Sequence, residues 1–124
     1  MQDNELFKMH QEFLTLDMDE GWAVPPGYPE GIEQRILSSN LDEEARRGSR
    51  TRLLRFQPGA FSTEPFVHEY YEEVLLISGD LIVGIGDEAE SFLAHTYACR
   101  PPGVHHGPFK SEGGCLLVEF HYFV

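Results

Sequence analysis

Short apolar segments separated by glycine- and proline-containing turns run through most of the chain, and this spacing is the feature that most restricts its fold. The 124 residues include 12 glycines and 8 prolines. Turn signals such as Gln57-Pro58-Gly59 and Pro101-Pro102-Gly103 end segments that have the length of strands. No segment shows a convincing helical periodicity longer than a turn or two. The pattern therefore predicts an all-β domain of about eight or nine short strands, either a β-sandwich or a jelly-roll barrel.

The strands are expected where apolar or alternating residues lie between these turns. They are predicted over residues 32–39, 50–56, 63–68, 73–77, 81–85, 91–98 and 115–124. Because only Ser78-Gly79-Asp80 separates 73–77 from 81–85, these two segments are predicted to form a hairpin.

The chain is predicted to contain one domain, residues 22–124, preceded by a short N-terminal arm, residues 1–21. The arm is acidic and fits helix and strand patterns equally poorly, and it could pack on a partner subunit. Because a barrel of this kind has strand edges to cover, we expect a homodimer.

The charge and the absence of certain segments exclude several classes of partner. The formal net charge is −12, whereas nucleic-acid binding requires a basic surface. No apolar run approaches the roughly 20 residues of a membrane span, and the N-terminus lacks the pattern of a secretory signal. Cys99 and Cys115 have no CxxC partner and are typical of inert thiols in a reducing compartment. We therefore expect a cytoplasmic protein that binds a small molecule, with no nucleic acid and no membrane as partner.

Three side chains have the types and spacing of a catalytic metal site. His68 and Glu72 lie four residues apart, and His106 follows the turn Pro101-Pro102-Gly103. Two imidazoles and one carboxylate form the set that binds Fe(II) and leaves coordination positions open. The same set also suits a catalytic Zn²⁺ with a bound water.

Residues near this set are candidates for further roles. Alternation along 63–68 places Glu64 and Phe66 on the same face as His68. Glu64 and, on the last predicted strand, His121 are candidate bases or additional ligands.

Aromatic residues are candidates for the wall of a substrate pocket. The pocket residues are predicted to be Phe66, Tyr70, Phe109 and Trp22. Two of them have alternative roles, since Trp22 could instead anchor the proline-rich loop that follows it and Tyr70 could pack within a strand.

The spacing of these residues resembles the two motifs of the cupin superfamily, written G-x5-H-x-H-x3,4-E-x6-G and G-x5-P-x-G-x2-H-x3-N. His68 and Glu72 correspond to the second histidine and the glutamate of the first motif, which Gly59 and Gly79 bracket. His106 corresponds to the histidine of the second motif. The resemblance implies an RmlC-like jelly-roll β-barrel with a metal site at His68, Glu72 and His106.

The match is most similar to the ChrR-like group of cupins, which includes acetylacetone-cleaving dioxygenases. The segments that carry it are Gly31–Leu37 (GIEQRIL), Arg55–Gly59 (RFQPG) and the run from Glu72 into Val74-Leu75-Leu76. Pro-Pro-Gly before His106 and Pro108-Phe109 after it also agree. The resemblance covers about 100 residues.

The chain departs from the motifs at three positions. Phe66 stands where the first histidine is expected, His95 replaces the glycine that opens the second motif, and Lys110 replaces its closing asparagine. A site with three protein ligands remains workable, and a phenylalanine would make the pocket drier and favour an apolar or aromatic substrate.

The resemblance implies a metal-dependent enzyme acting on a small oxygenated substrate such as a dicarbonyl, an enol or an aromatic ketone. With Fe²⁺ the expected reaction is dioxygenase-like C–C cleavage. With Zn²⁺, Mn²⁺ or Ni²⁺ the alternative is a non-redox isomerase, cyclase or lyase. A further alternative is a ligand-binding or sensor module without catalysis.

Overall fold

The structure, a computed structural model, describes residues 8–124 and confirms the predicted all-β class. Seven antiparallel strands form one sheet in the order β1-β2-β7-β3-β4, and β5 and β6 also pair with β3. The strands are β1 (Ile32–Ser39), β2 (Ser49–Phe56), β3 (Tyr71–Val83), β4 (Glu90–Leu93), β5 (Thr96–Arg100), β6 (Phe109–Lys110) and β7 (Cys115–Tyr122). Among residues 8–124 a 3₁₀ turn covers Gly86–Glu88. Within residues 8–124 no helix is long and apolar enough to cross a membrane.

The predicted hairpin between 73–77 and 81–85 is wrong, because residues 73–77 and 81–83 belong to the continuous strand β3. The first part of β3 pairs with β5, and the part from Asp80 onward pairs with β4. Gly79 has a φ of 87°, and a Cβ there would lie 2.1 Å from the carbonyl oxygen of Gly114. The residues that signal a turn therefore bend the strand at a bulge between Leu76 and Ser78 instead of reversing it.

Two other predicted strands differ from the observed elements. Residues 63–68 form only one isolated bridge, between Phe66 and His106, because Pro65 has no N–H to offer a ladder. The predicted strand 91–98 is divided into β4 and β5 at His95, which has a left-handed φ of 71°. The described residues therefore contain seven strands instead of eight or nine.

The inner face of the sheet changes from apolar to charged along three neighbouring strands. At one end lie the core residues of β2, β3 and β7, whose cross-strand neighbours are Leu54 with Leu117 and Leu117 with Leu76. One alternation step further the same face carries Arg52 beside Glu119. The apolar end forms the core, and the charged end creates a polar chamber inside the protein.

Apolar side chains are also exposed on the outer surface of the same sheet. They include Leu75 and Ile77 on β3, Tyr97 on β5 and Phe120 on β7. This surface is compatible with the predicted homodimer, which stays a prediction.

Residues 8–21 of the predicted arm form no strand and are mostly exposed. The backbone carbonyl of Met18 accepts a hydrogen bond from the indole N–H of Trp22 at 2.8 Å. Residues 1–7 of the predicted arm lie outside the described residues.

Candidate metal site

A row of cross-strand neighbours at the charged end of the sheet builds the candidate site. Glu72 on β3 faces Arg100 of β5 on one side and His121 of β7 on the other. His121 in turn faces Arg50 of β2. Because these four residues share one row and one face, their side chains meet inside the protein.

The structure brings together the three predicted ligands His68, Glu72 and His106. Nε2 of His106 lies 3.3 Å from Oε1 of Glu72, and Nε2 of His68 lies 3.8 Å from its Oε2. The three donor atoms lie within 4.8 Å of one another. The two histidines come from loops that the Phe66–His106 bridge holds together, with N···O distances of 2.7 and 2.9 Å.

The hydrogen bonds of the two histidines fit a metal ion between them and Glu72. Nδ1 of His106 lies 3.3 Å from the carbonyl oxygen of Val104, which can only accept. The neutral ring therefore carries its proton on Nδ1 and presents the lone pair of Nε2 to the Glu72 carboxylate. Nε2 of His68 is buried and has no hydrogen-bond partner. Both nitrogens face the buried Glu72 carboxylate without a hydrogen bond to it, and a cation between them would give each a partner.

A second group of possible ligands consists of Glu72, Glu119 and His121. Unlike His68 and His106, both Glu119 and His121 already bind arginines. Nε and Nη2 of Arg50 lie 3.1 and 2.9 Å from Nδ1 of His121. Since a guanidinium only donates, Nδ1 accepts and the His121 proton resides on Nε2, which lies 2.8 Å from Oε2 of Glu72. His121 therefore donates to Glu72 and orients it toward His68 and His106, a role that outer-shell groups play in metal sites.

Arg52 and Glu119 form a buried ion pair beneath this row. Nε and Nη2 of Arg52 lie 2.9 and 2.8 Å from Oε1 of Glu119. The same guanidinium also donates to Oε1 of Gln34 at 2.8 Å and to the hydroxyl of Tyr28 at 3.0 Å. Burial raises the pKa of Glu119, but the charge of Arg52 and the hydrogen bond from His121 outweigh it, so the net shift of this pKa is downward. Glu119 is thus an ionised structural group that holds Arg52.

The metal set borders a small inner cavity with apolar walls. The cavity has a volume of about 30 Å³, room for an ion with one or two waters. Its wall includes the predicted pocket residues Phe66 and Phe109 together with Tyr28. The rings of Tyr28 and Phe66 stack with centroids 4.5 Å apart.

A larger outer groove of about 790 Å³ lies on the other side of the Tyr28–Phe66 pair. Residues 27–31 and 57–64 form most of its wall, and Tyr28 and Phe66 line both the groove and the inner cavity. The stacked pair therefore separates a space of ligand size from the candidate metal site.

The remaining predicted site residues occupy different environments. Glu64 is exposed and lines the outer groove. The ring of Tyr70 stacks on His68 with centroids 4.7 Å apart. Trp22 packs under Arg55, whose guanidinium carbon lies 4.1 Å from the indole centre. Their proposed catalytic and pocket roles stay predictions.

Four charged residues of the site were missed at the sequence level: Arg50, Arg52, Arg100 and Glu119. The sequence carries a signal for three of them, because residues two positions apart in a strand point to the same face of the sheet. Arg50 and Arg52 alternate with the core residues Leu54 and Phe56 on β2, and Glu119 alternates with Leu117 on β7. A charge at an inward position of a strand indicates a buried polar network.

Acid should destabilise the metal-free protein between about pH 6.5 and about pH 4. Burial lowers the pKa of His68 to about 4 from 6.5, and burial also lowers the pKa of His106. In that range the unfolded chain binds protons at these positions while the folded protein does not, so stability falls as pH decreases. Urea unfolding with chelator present measures this effect.

The control for this pH effect is His68→Asn, which cannot titrate. Its unfolding free energy should fall less steeply than that of the wild type over the same range. Identical slopes for the two proteins would show that folding does not change the pKa of His68.

The fold and the site define the class of protein: a jelly-roll barrel of the cupin type with a His/Glu group that could hold a metal ion. Residues 10–124 match the family described as the ChrR cupin-like domain, and the chain belongs to that family. The resemblance inferred from the motifs is thereby confirmed. The comparison with curated proteins returned no match.

Several solved structures share the fold at low sequence identity. An RmlC-like cupin from Shewanella frigidimarina has a TM-score of 0.66 and 17% identity, covering 92% of this chain and 93% of that one. An acetylacetone dioxygenase from Acinetobacter johnsonii has a TM-score of 0.66 and 18% identity over 92% and 75% of the chains. A cupin sugar phosphate isomerase from Silicibacter pomeroyi has a TM-score of 0.62 and 18% identity over 90% and 76%. These matches confirm the predicted cupin jelly roll.

Proposed function

We propose that the protein is a metal-dependent enzyme that acts on a small oxygenated organic substrate at His68, Glu72 and His106. The observation that carries the proposal is a pair of histidine nitrogens that face one buried carboxylate without a hydrogen bond to it. Arg100 balances the charge of that carboxylate, but a site without metal would leave both ring nitrogens without a partner. A module that binds its ligand without a metal ion would have no need of it.

Dioxygenase-like C–C cleavage is the reaction that we favour for this site. Two histidines and one carboxylate are the ligand set of non-haem Fe(II) oxygenases, and an acetylacetone dioxygenase is among the proteins of similar fold. A bound divalent ion would act as a Lewis acid on substrate oxygens and, as Fe²⁺, would support chemistry with O₂. With Zn²⁺ the same ligands would favour non-redox isomerase, cyclase or lyase chemistry.

The chain's own residues would orient the substrate and exclude water. Phe66 and Phe109 form an apolar wall beside His106, with ring centroids 6.1 and 5.8 Å from the imidazole. His121 keeps Glu72 in position by hydrogen bonding to Oε2. Such a dry surround strengthens every electrostatic contact inside the site.

The first experiment is elemental analysis of protein purified without chelators, followed by metal titration. One transition-metal ion per chain supports the proposal, and iron with O₂ consumption on β-dicarbonyl substrates supports the dioxygenase. A protein that binds no transition metal on titration would sink the metalloenzyme.

Phe66→His should tighten metal binding at least about tenfold, equivalent to about 1.4 kcal/mol. The Phe66 backbone is bridged to His106, and its ring borders the cavity, so an imidazole there would add a fourth ligand near the ion. Competition titration with a chromophoric chelator measures the affinity. Phe66→Leu is the matched control and should leave affinity unchanged. Equal affinities for Phe66→His and the wild type would place position 66 too far from the ion to bind it.

A further inference from the structure

We propose that Arg100 is a substrate-binding residue and that the substrate enters as a carboxylate, held between Arg100 and the site formed by His68, Glu72 and His106. This rests on the proposed function, since it places the carboxylate beside that metal site. It goes further by naming the charge of the substrate and the residue that recognises it.

The guanidinium of Arg100 retains a free edge next to the candidate ligands. Nη1 donates to Oε1 of Glu72 at 2.9 Å. Among residues 8–124, Nε and Nη2 of Arg100 have no acceptor. These two nitrogens form the side edge of the guanidinium, whose parallel N–H groups match the two oxygens of a carboxylate. The side chain is 17% exposed and lines the inner cavity, so a ligand can reach this edge.

The fold fixes this guanidinium next to the candidate ligands. Arg100 ends β5 directly across from Glu72, and the turn that follows it leads to His106. Its guanidinium carbon lies 5.7 Å from the centre of the Phe109 ring, a cation–π contact that holds the plane of the group.

The charge balance of the cavity favours an anion. Arg52 is paired with Glu119 and Arg100 with Glu72, so these four charges cancel. A divalent ion would add two positive charges in a region largely removed from water, where unbalanced charge is costly. A carboxylate offsets part of this charge, whereas a neutral ketone offsets none.

The space available sets the shape of such a substrate. The inner cavity of about 30 Å³ has room for little more than a carboxylate group. The rest of the molecule would lie past the Tyr28–Phe66 pair in the outer groove of about 790 Å³. The stacked rings at this border favour a flat apolar or aromatic tail.

The experiment compares benzoate with benzamide, which has the same shape and no charge, on Co²⁺-loaded protein. Absorbance of the Co²⁺ d–d bands reports binding of either probe. We expect wild type to bind benzoate more tightly than benzamide. Arg100→Met should weaken benzoate roughly 10- to 100-fold and leave benzamide unchanged. Arg100→Lys keeps the charge without the planar edge, so its benzoate affinity should lie between those of the wild type and Arg100→Met.

Co²⁺ affinity, measured separately, distinguishes recognition from support of the ligands. Arg100→Met should keep or increase Co²⁺ affinity, because the guanidinium no longer competes with the ion for Glu72. Equal benzoate affinity in wild type and Arg100→Met would overturn the proposal, as would a loss of Co²⁺ affinity in that variant. If wild type takes up no Co²⁺, the proposed function fails by itself. In that case the role of Arg100 is tested by calorimetry of benzoate binding to metal-free protein. Weaker binding by Arg100→Met than by wild type supports the role, and equal binding overturns it.

Discussion

His106→Ala should lower metal affinity by more than about 100-fold, above the loss typical of changes outside the ligand shell, while the barrel stays folded. The imidazole supplies one of three donor atoms and makes one hydrogen bond to the backbone, from Nδ1 to Val104. Removing it also relieves the contact between its Nε2 lone pair and Glu72, so the metal-free protein should lose little stability. Isothermal titration with Co²⁺ or Zn²⁺ measures the affinity, and thermal unfolding with chelator present measures the stability.

His105→Ala is the matched control for this experiment. His105 is the neighbouring residue and is exposed, so its removal should leave metal affinity unchanged. If His106→Ala binds metal as tightly as the wild type, the ion lies elsewhere. Glu72, Glu119 and His121 are then the next group to test, and metal binding there would have to displace the hydrogen-bond proton of His121.

The spacing of His68, Glu72 and His106 was enough to predict that these residues meet, because motif spacing encodes strand positions in a barrel. The sequence could not show how Phe66 takes part. Its backbone bridges to His106 while its ring stacks on Tyr28, which lies 38 positions earlier in the chain. Contacts over such distances depend on the whole fold, and local patterns do not contain them.

The wrong hairpin has the same origin. Gly79 and Asp80 have turn-forming chemistry, but whether they reverse the chain depends on what they meet. The Asp80 carboxylate accepts hydrogen bonds from the backbone N–H groups of Glu112 and Gly113 at 3.0 and 2.8 Å. Gly79 packs against Gly114. Gly79 and Asp80 therefore form a bend that packs against the loop before β7, about 30 residues away along the chain, and they do not reverse the chain.

Arg52→Met should destabilise the protein by about 3–5 kcal/mol, the cost of leaving a buried charge without its partner. The side chains of Arg52 and Glu119 are only 3% and 7% exposed. Without Arg52, burial would raise the pKa of Glu119, and the carboxylate would either stay charged at high cost or take up a proton. For a chain of this size the expected fall in melting temperature is roughly 10–20 °C. Urea unfolding at neutral pH measures the free energy.

The double variant Arg52→Met/Glu119→Leu separates the cost of an unpaired charge from the worth of the pair. Two apolar side chains of similar volume leave no charge behind, so most of the lost stability should return.

The pH dependence of stability is a second test of the buried Arg52–Glu119 pair. In wild type the lowered pKa of Glu119 stabilises the protein above the unfolded value of 4.5 and this contribution is lost as pH falls. Arg52→Met should lack that contribution, so its stability should approach that of the wild type in acid. A single variant that loses less than about 1 kcal/mol, the scale of an exposed pair, would show that water reaches Glu119. The charged end of the barrel would then be an open chamber, in which water could partner His68 and His106 in place of a metal ion.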